Sequence, residues 1–107
     1  MRFDELKTPA YVIDEKMLIH NLEILHKVEE DTSCHILLAQ KAFSAYAEYP
    51  LIGKYISGTT ASGIYEARLG AECMGKENHV FAPAYKEKDM EELVQICLLY
   101  TSPSPRD

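Results

Sequence analysis

The sequence predicts an α/β fold built on a parallel sheet, and three observations carry that prediction. Short apolar runs such as AYVI, ILLA and HVFA alternate with longer amphipathic stretches, which is the order of βαβ units. Within the runs the apolar residues are consecutive, as strands covered on both faces require. The connections between runs and stretches are short. Either a doubly wound sheet or a (β/α)8 barrel satisfies all three.

Residues 10–13 (AYVI) follow Pro9 and read as the first strand, with Asp14 placed to cap a helix. That helix runs over 15–30, where Leu18, Leu22, Leu25 and Val28 recur on one face. Residues 36–39, inside HILLAQK, are the second strand. A helix is expected over 45–56, with Pro50 tolerable only near a first turn. SGTTAS then holds a short strand at 59–61, and GIYEARLG a helix stopped by Gly70. HVFA, residues 79–82, is the last strand, broken by Pro83. Residues 87–96 (EKDMEELVQI) form an amphipathic helix whose early acids suit the positive end of the helix dipole.

CLLYTSPSPRD, residues 97–107, does not continue this pattern. Back-translated with one choice of codons, it resembles a common transposase-type sequencing adapter along its whole length. Residues 97–107 are therefore expected to be a non-native tail, set aside from fold reasoning, with residues 1–96 the N-terminal part of one domain and the natural protein continuing past Ile96.

Composition narrows the function classes. Of the 107 residues, 47% are apolar and 26% charged, the balance of an ordinary folded domain. The net charge is -6, and no cluster of Lys and Arg offers a footing for nucleic acid or an anionic membrane. The N-terminus has no apolar signal segment and no later run approaches a membrane span, so the expected location is cytoplasmic. Outside the tail, Cys34 and Cys73 are far apart and in no C-x-x-C pair. They are expected to be buried thiols, neither a disulfide framework nor a zinc site.

In βα folds the functional groups gather where strands end and loops converge on one face. Lys41 ends the HILLAQ run, and a period of two places Leu37, Ala39 and Lys41 on one face. A Lys at the top of a barrel above small Ala39 is well placed to form a Schiff base, because an amine partly withdrawn from water loses its proton more readily. The plainer alternative is a strand-end Lys reaching solvent. Thr59, Thr60 and Ser62 end the next strand, either reaching a ligand on the same face or serving turn and cap chemistry. His35 and His79 fall at strand beginnings and read as structural. His20 and His26, six apart on a helix, do not share a face for metal binding.

Four stretches together, TPAYVID, LLAQKAF around Lys41, GTTASGIYEARLG and HVFAPAYKE, resemble the carboxynorspermidine/carboxyspermidine decarboxylases. These belong to the alanine-racemase-like, fold type III pyridoxal-phosphate enzymes, and the resemblance covers essentially all of residues 8–96. A-x-K-A alone is shared with diaminopimelate and ornithine decarboxylases, but those usually carry Asp at the position of Thr59. Gln40 stands where the family pattern leads one to expect an apolar residue. The resemblance implies the N-terminal part of a (β/α)8 TIM barrel, truncated. It also implies that Lys41 holds pyridoxal 5'-phosphate, with Ala39, Thr59 and Ser62 beside it. It further implies a homodimer acting on a small polyamine, with the α-carboxylate leaving as carbon dioxide and norspermidine or spermidine as product. The same resemblance puts the phosphate-binding Gly-rich loop and a C-terminal β domain after Ile96, so the 107-residue chain is expected to be inactive and to fold poorly.

Three other readings fit the same residues. A diaminopimelate decarboxylase-like enzyme would differ in substrate. A non-enzymatic pyridoxal-phosphate carrier of the same barrel superfamily would need no β domain. In a stand-alone βα interaction module Lys41 would be surface alone.

Overall fold

The computed structural model describes residues 2–101. Helix α1, Glu15–Thr32, begins where the Asp14 carboxylate accepts the Lys16 and Met17 N–H groups at 3.0 and 3.3 Å, satisfying donors that a helix start leaves orphaned. It ends at Ser33, which adopts a left-handed conformation. Leu18 and Leu22 turn inward as the spacing predicts, but Leu25 and Val28 remain 39% and 44% exposed.

Strands β1 (Leu37–Ala39), β2 (Gly58–Ala61), β3 (Glu77–Phe81) and β4 (Leu99–Thr101) form one parallel sheet in the order β1-β2-β3-β4. Helices α2 (Tyr49–Ile52), α3 (Ile64–Cys73) and α4 (Glu87–Ile96) lie between successive strands. A doubly wound sheet reverses its strand order at a switch point; no reversal occurs among the described residues.

The register aligns Leu38 with Thr59 and Thr59 with Asn78, and on the alternate set Ala39 with Thr60 and Thr60 with His79. Side chains of the first set face the helices. There Ala61 and Val80 pack with Ile64, Ala67 and Leu93 in one cluster, while Leu38 joins Leu22, Ile52 and Ile56 in another. The second set faces away, and nothing among the described residues covers it: Phe81 and Leu99 are 54% and 50% exposed.

Several expectations need correction. AYVI forms no strand and has no ladder partner among the described residues, with Tyr11 wholly exposed; β propensity makes no strand where no ladder partner is in reach. The helix expected over 45–56 shrinks to a 3-10 turn, Tyr46–Glu48, and the four-residue α2. Pro50 lies in the first turn of α2, the place a missing N–H costs nothing. Helix α3 runs through Gly70 to Cys73 and is closed instead at Gly75, whose φ of +72° lets its N–H return to the Gly70 carbonyl at 3.0 Å. Strand β3 starts at Glu77, so His79 is mid-strand. Cys34 is exposed and Cys73 only half-buried.

Leu99–Thr101 was set aside with the tail, yet it pairs with β3. A parallel edge accepts any extended, β-prone run that reaches it. Residues 102–107 of that expected tail lie outside the described residues. Helix α4 falls where the sequence places it, with Leu93 buried and Glu87 and Asp89 in its first turn. Among the described residues no helix is long and apolar enough to cross a membrane.

Candidate active site

Lys41 sits in the turn that lifts the chain off the carboxyl end of β1. The Ala39 carbonyl closes that turn by accepting the Ala42 and Phe43 N–H groups at 3.0 and 3.1 Å. Ala39, Gln40 and Lys41 alternate outward, inward and outward: Ala39 and Lys41 are exposed, and Gln40 is buried. On the open face the row through Ala39 continues to Thr60 and His79. One step toward the carboxyl ends, Lys41 and Ser62 follow Ala39 and Thr60. The Lys41 amine makes no hydrogen bond or ion pair with the described residues.

Of the residues singled out from the sequence, the structure brings Lys41, Ala39 and Ser62 to one end of one face. Ser62 is exposed, and its N–H is held by the Glu66 carboxylate at 2.9 Å. Thr59 is not among them. It faces the helices, 1% exposed, with its hydroxyl 3.4 Å from Asn78 Oδ1. Thr60 takes the place on the open face that the sequence reading shared between the two. Alternation from Ala61, which must be core, was the signal that separates them.

Beneath the open face lies a polar layer that the sequence reading missed. Gln40 Nε2 donates to the Thr60 and Glu66 carbonyls at 3.2 and 2.9 Å, and the Tyr49 hydroxyl donates to Gln40 Oε1 at 2.9 Å. Asn78 Nδ2 donates to the Ala67 carbonyl at 2.8 Å. Two buried amides, one from the turn after β1 and one from β3, thus hold neighbouring carbonyls of α3. Such groups persist in a core only when paired. Gly70 makes room for them: a Cβ there would lie 2.3 Å from Thr59 Oγ1 and 3.0 Å from Gln40 Nε2. Burial above all, and then Cys73 and Glu66, pushes the Tyr49 phenol pKa up, so its hydroxyl stays a donor.

At the opposite, amino end of the open face the Glu77 carboxylate bridges His35 and His79, reaching His79 Nε2 at 3.2 Å. No cluster among the described residues has the makings of a metal site.

No family model matches the chain. It is 36% identical over 96 residues to the carboxynorspermidine/carboxyspermidine decarboxylase of Campylobacter jejuni and 35% identical over 92 residues to that of Herminiimonas arsenicoxydans. It is also 34% identical over 95 residues to the carboxyaminopropylagmatine decarboxylase of Synechocystis. These matches take in 90%, 86% and 89% of the chain. The chain spans about a quarter of the length of these curated relatives. The crystal structure of Campylobacter jejuni carboxynorspermidine decarboxylase complexed with norspermidine superposes with a TM-score of 0.86 at 35% identity, over 90% of this chain and 26% of that one. In sequence and in backbone alike, what this chain matches is about a quarter of a carboxynorspermidine/carboxyspermidine decarboxylase.

Proposed function

We propose that these residues are the Lys-bearing part of a pyridoxal-phosphate-dependent decarboxylase that converts carboxynorspermidine or carboxyspermidine to norspermidine or spermidine. The observation that carries this reading is the Lys41 amine, unpaired at the carboxyl end of β1 above a floor of small side chains, in a chain so similar to such enzymes. The residues present fit the cofactor: it is an aldehyde, and a free primary amine is the group that holds one covalently. When bound, pyridoxal phosphate supplies the electron sink that accepts the pair left behind as carbon dioxide departs.

This chain's own contribution is positional. Lys41 holds the cofactor, Ala39 and Thr60 keep the floor beneath it low, and Ser62 offers a hydroxyl at the same strand ends. Thr59 serves by packing under α3. The parallel, unreversed order of β1 to β4, with helices on one face, suits an arc of a (β/α)8 barrel whose interior is the open face. A homodimer in the cytoplasm completes the reading, and the net negative charge suits a polycationic substrate.

The test uses the complete protein that carries these residues. Release of carbon dioxide from carboxynorspermidine, with loss of both turnover and bound cofactor in Lys41→Ala, is the expected result. A Lys41→Ala protein that still binds the cofactor covalently and turns over would reject it.

A further inference from the structure

We propose that Gln40, clamped by the Tyr49 hydroxyl, is the positioning residue for Lys41, fixing the turn from which the lysine reaches the open face. The proposal rests on the role given to Lys41 above. Its basis is an asymmetry at the end of β1. Lys41 itself is exposed and bonded to nothing among the described residues, so nothing at its own amine sets its direction. Its neighbour is the reverse: Gln40 is 1% exposed and uses its side-chain acceptor and donors on three partners, drawn from α2, β2 and α3.

The Gln40 backbone N–H also meets the Thr60 carbonyl, at 3.4 Å, so main chain and side chain converge on one acceptor. With residue 40 held from both sides, the two N–H bonds to the Ala39 carbonyl close over a fixed point. Reactive groups need placement within roughly half an ångström, supplied by neighbours whose own rotamers are locked. An apolar residue at 40 would fill the space but hold nothing, leaving Tyr49 with only the Phe43 carbonyl at 3.5 Å.

The experiment compares the complete protein with its Tyr49→Phe and Gln40→Leu variants. It reads two quantities besides activity: amide hydrogen exchange in the cofactor-free protein, and the rate at which borohydride traps pyridoxal phosphate on Lys41. Tyr49→Phe removes one hydroxyl and keeps the ring. Exchange at Ala42 and Phe43 is expected to quicken roughly three- to tenfold, the worth of one hydrogen bond, while exchange at Val80 in β3 holds steady and trapping on Lys41 slows by a similar factor. The double variant keeps the idea exposed should a single one fold badly. With both partners apolar its melting temperature is expected to recover, yet its Lys41 turn to stay fast-exchanging. Unchanged exchange at Ala42 and Phe43, acceleration shared equally by Val80, or recovery of turn and melting together would overturn the proposal and leave Gln40 as core alone. Wild-type protein that traps no cofactor on Lys41 would instead overturn the function on which the proposal rests.

Discussion

Glu29 gathers three elements with one carboxylate. From α1 it accepts the Ile36 N–H at 2.6 Å, just before β1, and the Ser57 hydroxyl, just before β2. Desolvation pulls its pKa up, but those two bonds, helped by His26 and His35, outweigh it and hold the group below the usual 4.5. Since the folded value is the lower one, the stability it contributes is complete above 4.5 and is lost as pH falls through the folded value. In the complete protein that carries these residues, urea midpoints should therefore drop as pH falls below 4.5. Ser57→Ala should cost about 1 kcal/mol at neutral pH and shallow that drop; an unaltered pH slope would remove Glu29 as its source. Glu48 has the opposite sign. A hydrogen bond that protonated Glu48 donates to Glu15, then burial, then the Glu15 charge raise its pKa, and Oε2 is buried with no partner among the described residues. Its folded state holds the proton more tightly, so stability is lost as pH rises from 4.5 through the folded value. In the complete protein, Glu48→Gln is expected to raise the melting temperature at pH 7 and leave it unchanged near pH 4, which paired calorimetric scans will show. None of these roles is legible in the sequence, because each carboxylate is defined by partners on other elements. The position of Lys41 was legible for the converse reason: its place after a strand end and its small neighbour two residues back are local facts.

Helix α3 shows what an element takes from its surroundings. Gly70 costs about 1 kcal/mol of helix propensity relative to Ala, so Gly70→Ala in an isolated helix would stabilise. Here the new Cβ would sit 2.3 Å from Thr59 Oγ1 and 3.2 Å from Thr59 Cβ, in a layer whose Thr59 is wholly buried and has no room to turn. Overpacking of that kind costs roughly 1–3 kcal/mol, which outweighs the propensity gain, so Gly70→Ala should destabilise by about 1 kcal/mol net. Adding Thr59→Ala should return part of that loss, a non-additivity that chemical denaturation of the complete protein's two single variants and its double will measure. A double variant no more stable than the sum of the singles would place the strain elsewhere. Elements whose signals are internal were read correctly. Helix α1 carries its own cap and periodicity, and α4 its early acids and its core Leu93. The others depend on neighbours. Gly70 read as a stop because a glycine's local meaning is termination, and only the closeness of β2 makes it a contact. AYVI read as a strand because β-branched residues favour one, and only a missing partner edge keeps it from being one.

At the scale of the whole molecule, the sheet has a helix-covered face and a bare one. Ala39, Phe81 and Leu99 lie bare on the second, and among the described residues no strand pairs with the outer side of β1. Beside that edge a cavity of about 330 Å³ is lined almost wholly by apolar side chains, among them Leu18, Leu25, Leu37 and Phe43. Parallel sheets are found with both faces covered, because one solvated face forfeits half the burial that stabilises them. An exposed edge with apolar flanks also templates further pairing. The matched relatives are about four times as long, and a barrel would close both the face and the edge with residues this chain does not contain. The 107-residue chain on its own is therefore expected to self-associate, to bind a dye specific for exposed apolar surface and to melt without a sharp transition. It is also expected to release no carbon dioxide from carboxynorspermidine. Analytical ultracentrifugation and calorimetry decide the first part, and a radiolabelled carboxylate assay the second. A monodisperse monomer with a sharp calorimetric transition would mean that the open face is stable in water, and the barrel reading would lose its physical argument. Turnover by that chain alone would show that Lys41 and the strand ends around it suffice for the chemistry.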